Sequence, residues 1–210
     1  MAGREFLEVD SPQQRLLLER FKHTEAIQKM LSELPKADQN LCNHGSYFLA
    51  ANSSLCGLAA NNFFRSILHV RRASIVSALP MAVIPFISTA AVYEVFLRQP
   101  LFSGELNCEV CAVVRGGLIG AVVGGFYPIL MALPVNASLA ARYSSSPLPG
   151  KENLARFWLT IAQPVFRKMS LGVVVQALTG LYLATKHHGI YFKILERMST
   201  AGRNPEELQA

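Results

Sequence analysis

The chain has 210 residues, 16% of them charged and 51% apolar, with 20 Lys and Arg against 14 Asp and Glu. An ordinary soluble domain carries about 25% charged residues, so the deficit disfavours one, whereas the apolar fraction lies at the edge of the soluble range and decides nothing alone. The net charge of +6 needs no nucleic-acid partner, because it sits beside apolar segments where anionic lipid headgroups suffice.

Clustering decides the class. Residues 45–64, 73–93, 116–141 and 169–185 carry no charged side chain, over 20, 21, 26 and 17 residues. A helix needs about 20 mostly apolar residues to cross the ~30 Å hydrocarbon core. The fourth run is shorter, and Lys168 and Lys186 at its ends can snorkel to complete it. The spacing therefore predicts an all-α, polytopic membrane protein with four transmembrane helices. A soluble helical bundle is the alternative, but a 26-residue charge-free run has little place in a small soluble domain. The expected organisation is a polar N-terminal segment (1–44), a four-helix transmembrane bundle (45–185) and a polar C-terminal tail (186–210).

In chain order, residues 1–44 hold 6 basic and 7 acidic side chains. Glu5, Glu8 and Asp10 argue against a secretory signal and against an Arg-rich, acid-poor transit peptide. Pro12 can open a helix, and Leu16, Leu17, Phe21, Ile27, Met30, Leu31 and Leu34 give a partial apolar stripe up to Pro35. This amphipathic helix either docks on its own bundle or serves a partner or the membrane surface.

The first span is interrupted by Asn52, Ser53, Ser54, Asn61 and Asn62. The deeper three should face other helices and find hydrogen-bond partners there, while Asn61 and Asn62 stand near headgroup depth. The link 65–72 carries Arg65, Arg71 and Arg72 and no acid. The second span holds Pro80 and Pro85, and the third Pro128 and Pro134; each removes an intrahelical hydrogen bond, so kinks are expected.

Between these spans lie Cys108 and Cys111, a C-x-x-C. A redox dithiol would normally follow a strand and open a helix in a thioredoxin-like unit, which does not fit a 22-residue link. A zinc site would need two further ligands that no neighbouring sequence supplies. The remaining reading is a small structural loop, with a local disulfide if the link faces an oxidising compartment. Cys42 and Cys56 read as isolated, buried thiols.

The third span opens with Gly116, Gly120 and Gly124, beside a parallel row of Gly117, Ala121 and Gly125. Small residues four apart make a flat stripe on which two helix backbones approach closely. The spacing leaves open whether the partner helix is in this chain or another. After it, residues 144–150 are turn-rich, and residues 154–166, with Trp158 and Pro164, read as an interfacial helix before the last span. His187 and His188 adjoin the end of that span as polar interfacial residues, and the tail ends in a disordered stretch from Gly202.

Four spans place the first and third links on one side, and both termini with the second link on the other. The first set holds 8 Lys and Arg in 35 residues (Arg65, Arg71, Arg72, Arg142, Lys151, Arg156, Arg167 and Lys168), against 12 in 91 for the second. Basic residues stay on the non-translocated side, so these links face the cytoplasm or, in a mitochondrion, the matrix. No acid lies inside a span, as a proton relay would need, and no phosphate loop, nucleophile elbow or carboxylate pair is present. The sequence suggests no enzyme and no cofactor.

The strings ELPKADQNLCNHGS, SLCGLAANNFFRSILHV, GLIGAVVGGFYPILMALPVNASLAARY and QPVFRKM resemble the transmembrane protein 126 family, and GELNCEVCAVVRGG resembles its A-type branch. The likeness runs from about Leu34 to about Thr185. It implies a multi-span protein of the mitochondrial inner membrane, an assembly factor and chaperone-like scaffold for respiratory complex I. Its partners would be complex I membrane-arm subunits, other assembly factors and the lipid bilayer, with no nucleic acid and no small-molecule substrate. The kinked spans and polar first span motivate an alternative, a small inner-membrane channel or solute transporter. A redox protein using Cys108 and Cys111 is a third class.

Overall fold

A computed structural model describes residues 12–69, 74–143 and 154–207 of the chain. Every regular element among the described residues is helical. Helix α1 is Pro12–Ser32 and α2 is Lys36–Ile67. Helix α3, Ser74–Phe102, contains a wide π-helical turn at Glu94–Arg98. Helix α4 covers residues 109–143 and is π-helical over Ile119–Phe126, and α5 is Leu154–Glu207.

Local sequence sets the breaks. Pro35, extended at φ −53° and ψ 141°, stands just before α2, as proline without an N–H can. Beyond the end of α2, His69 turns the chain with φ 54°. Gly104, at φ 79°, closes α3: its N–H reaches Leu101 O at 3.3 Å and the Glu105 N–H reaches Pro100 O at 3.0 Å. That pairing is a Schellman motif, which needs a left-handed residue and so suits glycine. Cys108, extended at φ −83° and ψ 116°, is the N-cap of α4, and its carbonyl takes the first helical bond from Ala112 N–H at 3.1 Å.

Three buried clusters stack along the bundle and fix helix direction. One joins Phe64, Leu68, Met81, Ile129, Ala140, Ile161 and Val165. The middle one joins Leu49, Tyr93, Leu97, Ile119 and Leu183. The last joins Ile27, Leu34, Cys42, Leu101, Ile190 and Ile194. Helix α2 enters at the last cluster and leaves at the first, α3 returns, α4 descends and α5 returns, so neighbours in sequence run antiparallel. The second half of α1 docks on the last cluster through Ile27, joined by Leu34 just beyond its end, while Phe21 stands exposed. Leu16 and Leu17 lie outside the residues whose side chains are described.

Among the described residues, three helices are long and apolar enough to cross a membrane: Ser74–Phe102, Glu109–Arg142 and Arg156–Thr200, whose most apolar stretches have mean hydropathy 2.0, 2.0 and 1.2. Most of their residues are not fully buried, and large apolar side chains stand exposed, including Ile75, Leu79 and Ile87 on α3 and Val114, Leu118 and Val122 on α4. An apolar outer surface of this extent requires lipid or protein against it. Helix α2 has the length but not the hydropathy, which Asn52, Asn61 and Asn62 lower; of its polar side chains Ser46, Ser53 and Asn61 are buried.

Element boundaries depart from the charge-free windows. Helix α2 runs through the expected boundary at residue 44, and α5 runs from Leu154 to Glu207 without a break. Residues 154–166 are therefore the opening turns of the longest helix, not a separate interfacial one. Residues expected to be disordered from Gly202 are helical to Glu207, while 208–210 lie outside the described residues. Charge sets where a helix meets headgroups; nothing in a charged residue ends the helix itself.

Candidate functional site

A close backbone contact lies between α4 and α5. A Cβ on Gly120 would overlap the Gln176 carbonyl, and one on Gly180 would overlap the Gly116 carbonyl. A Cβ on Gly116 would strike the Ala184 methyl, and one on Gly117 would lie 2.7 Å from Leu181 Cδ2. Gly125 meets the Val173 backbone, its Cβ position 3.2 Å from Val173 Cα. The glycine rows thus meet a helix of the same chain, and Ala121 is half-buried beside them. Gly180 completes the seam from the other side. Gly57 makes the same kind of approach between α2 and α3, its Cβ position overlapping Met81 O. Neither Gly57 nor Gly180 belongs to a glycine row, so spacing alone did not mark them.

The π turn of α4 follows from Pro128. Tyr127 N–H reaches back to Val122 O in the wide register, so the next carbonyl, Val123, meets a proline with no N–H. Neighbouring helices supply the donors. Thr89 Oγ1 approaches Val123 O at 3.5 Å, and Gln176 Nε2 donates to Gly124 O at 3.2 Å and Leu49 O at 3.3 Å. With the Thr89 proton on Val123 O, the Ser53 hydroxyl is the donor in its 2.9 Å contact with Thr89 Oγ1, and Ser54 Oγ donates to Ala82 O at 2.7 Å.

A second polar knot ties α2, α3 and α4. Asn136 Nδ2 donates to Asn61 Oδ1 at 2.8 Å, and Asn61 Nδ2 donates to Ser77 Oγ at 3.3 Å. Arg65 Nη1 donates to the same Ser77 Oγ at 2.8 Å, and Arg65 is only 8% exposed. Asn61 is thus buried among the helices, while Asn62 is exposed. Arg142, Arg156, Arg167 and Lys168 are exposed; Arg71, Arg72 and Lys151 lie outside the described residues.

The third polar contact corrects the sequence reading of His187. It is fully buried, with Nε2 donating to Leu41 O at 3.1 Å and Nδ1 2.9 Å from Tyr93 Oη. A carbonyl only accepts, so in the neutral ring Nε2 carries the proton and Nδ1 accepts from the Tyr93 hydroxyl. A Cβ on Gly45 would lie 3.0 Å from Nε2, so Gly45 makes room for the ring. A histidine pair after an apolar run gave no sign of this. Nearby, a cavity of about 260 Å³ lies between α1 and the π turn of α3, lined by Ile27, Leu31, Arg98 and Phe102 among others. Arg98 holds Glu94 at 2.7 Å on its rim.

Cys108 and Cys111 are exposed free thiols at the start of α4. The Cys111 N–H donates to Cys108 Sγ at 3.4 Å. The Cys111 thiol and that N–H together hold the Cys108 thiol below its ordinary range, against the opposing charge of Glu109. Cys42 is buried and Cys56 half-buried. No three His, Cys, Asp or Glu side chains gather into a metal-binding group among the described residues.

These features are built for holding helices together. A family model described as Transmembrane protein 126 matches residues 21–201. The chain is 46% identical over 170 residues to Transmembrane protein 126A of Rattus norvegicus and 44% identical to that of Homo sapiens, covering 81% of this chain and 87% of each relative. It is 30% identical over 174 residues to the Homo sapiens protein named complex I assembly factor TMEM126B, mitochondrial, covering 82% of this chain and 74% of that one. No solved structure matches.

Proposed function

The chain belongs to the transmembrane protein 126 family, on its A-type side, and from that premise we propose that it is an assembly factor for mitochondrial respiratory complex I. It acts as a chaperone-like scaffold on membrane-arm intermediates in the inner membrane, without catalysis. The observation that carries this reading is common descent with a relative named for complex I assembly. The structure supports it physically. Glycine seams and buried polar ties close the bundle on itself, and its outer faces stay apolar and open to other hydrophobic subunits.

In this reading α2 is a fourth span, lipid-compatible because Ser46, Ser53 and Asn61 point inward and exposed Asn62 lies close to its Arg65 end. The links 65–72 and 142–168 face the matrix, and both termini and the second link face the intermembrane space. The exposed part of α1 rests at the membrane surface or on a partner. A channel fits less well, since Ser53, Ser54 and Asn61 are occupied by bonds to neighbouring helices.

Affinity purification from mitochondria after gentle detergent extraction tests the proposal. Membrane-arm subunits of complex I are expected among the recovered proteins. Recovery free of any respiratory-chain subunit, with a specific solute flux in reconstituted liposomes, would overturn it.

A further inference from the structure

We infer that Cys108 and Cys111 form a surface dithiol competent for thiol–disulfide exchange, with Cys108 the attacking sulfur, Cys111 the resolving sulfur and an exposed disulfide on another molecule as the substrate. Two independent features support it. First, the pair opens a ten-residue helical segment that continues into α4, with Cys108 extended as the N-cap and Cys111 in the first turn, its N–H directed at the Cys108 sulfur at 3.4 Å. Helix starts lower the cost of a thiolate because unpaired N–H groups point at it. Second, both sulfurs are exposed, whereas Cys42 is buried and Cys56 lies half-buried, 3.6 Å from the Cβ position of Gly172. Access and activation therefore coincide at one pair. The helix start that a redox motif requires is present, without the strand that precedes it in thioredoxin-like units.

The chemistry balances without another cofactor. The Cys108 thiolate attacks one sulfur of R–S–S–R′, forming a mixed disulfide and releasing R′–S⁻, which takes a proton from water. Cys111 loses its proton to water and attacks the Cys108 sulfur, which forms the Cys108–Cys111 bond and releases R–S⁻. Two thiols of this chain are oxidised and one disulfide is reduced. A small-molecule and a protein disulfide share this chemistry. The inference does not depend on the assembly role.

Full-length protein in mild detergent is incubated with oxidised glutathione or, in a parallel arm, with oxidised protein disulfide isomerase. Remaining thiols are then capped and located by peptide mass spectrometry. The wild-type chain should lose the Cys108 and Cys111 caps together and keep those on Cys42 and Cys56 once unfolded. Cys111→Ser should accumulate a mixed disulfide on Cys108, and Cys108→Ser should not accumulate one on Cys111. Preference between the arms identifies the small or the protein substrate, and reaction in neither overturns the proposal. As a check that needs no variant, limiting iodoacetamide should label Cys108 several-fold faster than Cys111 in the wild-type protein. Equal rates would also overturn it.

Discussion

Gln176 of α5 fills the space that a side chain on Gly124 of α4 would need: its Nε2 lies 2.6 Å from that Cβ position and donates to the Gly124 carbonyl at 3.2 Å. The pair joins two sequence features that look unrelated, a proline inside an apolar span and a polar residue inside another. Pro128 leaves α4 short of donors, the helix widens, and Gln176 and Thr89 serve the carbonyls left over. Close approach at glycine brings Gln176 near enough to do so.

Gln176→Leu should therefore leave Gly124 O and Leu49 O without their side-chain donor in the core. Loss of such a partner costs about 1–3 kcal/mol. The thermal midpoint in detergent should fall, and Gln176→Glu, which keeps the shape but loses the donors, should fall at least as far. An unchanged midpoint for both would remove Gln176 from the account of the π turn.

Gly120→Ala should destabilise more than its size suggests, because the new methyl meets the backbone carbonyl of Gln176, which cannot rotate away. Overpacking typically costs about 1–3 kcal/mol, and backbone contact belongs at the upper end. Gly189→Ala is the matched control: nothing lies within 4 Å of its Cβ position. There the gain in helix propensity, up to about 1 kcal/mol, should raise stability. Unfolding by denaturant in mixed micelles separates the two, and equal effects would contradict the seam.

Tyr93→Phe should leave His187 Nδ1 buried without its donor, and His187→Phe should free both the Tyr93 hydroxyl and Leu41 O. A double-mutant cycle should report coupling between them of about 0.5–3 kcal/mol, as contacting buried pairs do. Additive effects would show that the contact carries no energy.

Sidedness can be read by labelling. With a membrane-impermeant maleimide on intact mitoplasts, Cys108 should be labelled from the intermembrane side. A cysteine introduced as Ser66→Cys, exposed beside Arg65, should label only after the membrane is opened. The reverse pattern would invert the topology.

The alkylation rate of Cys108 should rise with pH and level off below the pH of an ordinary thiol, since the Cys111 thiol and N–H favour the charged form. Cys111→Ala removes the thiol but keeps the backbone N–H, so the inflection should move part of the way up. Denatured protein should show the ordinary value. An inflection unaffected by unfolding would mean the helix start does nothing to Cys108.

Much was legible in the sequence because lipid is an unforgiving solvent. Runs without charge, such as 73–93 and 116–141, can lie in hydrocarbon only as helices, so class and rough span positions follow from composition. The glycine rows likewise declared a close contact, since a flat stripe of Gly116, Gly120 and Gly124 serves little else. The partner was another matter. Only folding brought Gly180 and Gln176 of α5 against that stripe, joined Asn136 to Asn61 across 75 residues, and set His187 under Tyr93. Helix ends also escaped the sequence reading, because charge reports where water begins and not where a helix stops. A polar side chain announces that it needs a partner; which partner depends on distances that chain order does not encode, and the packed bundle alone decides them.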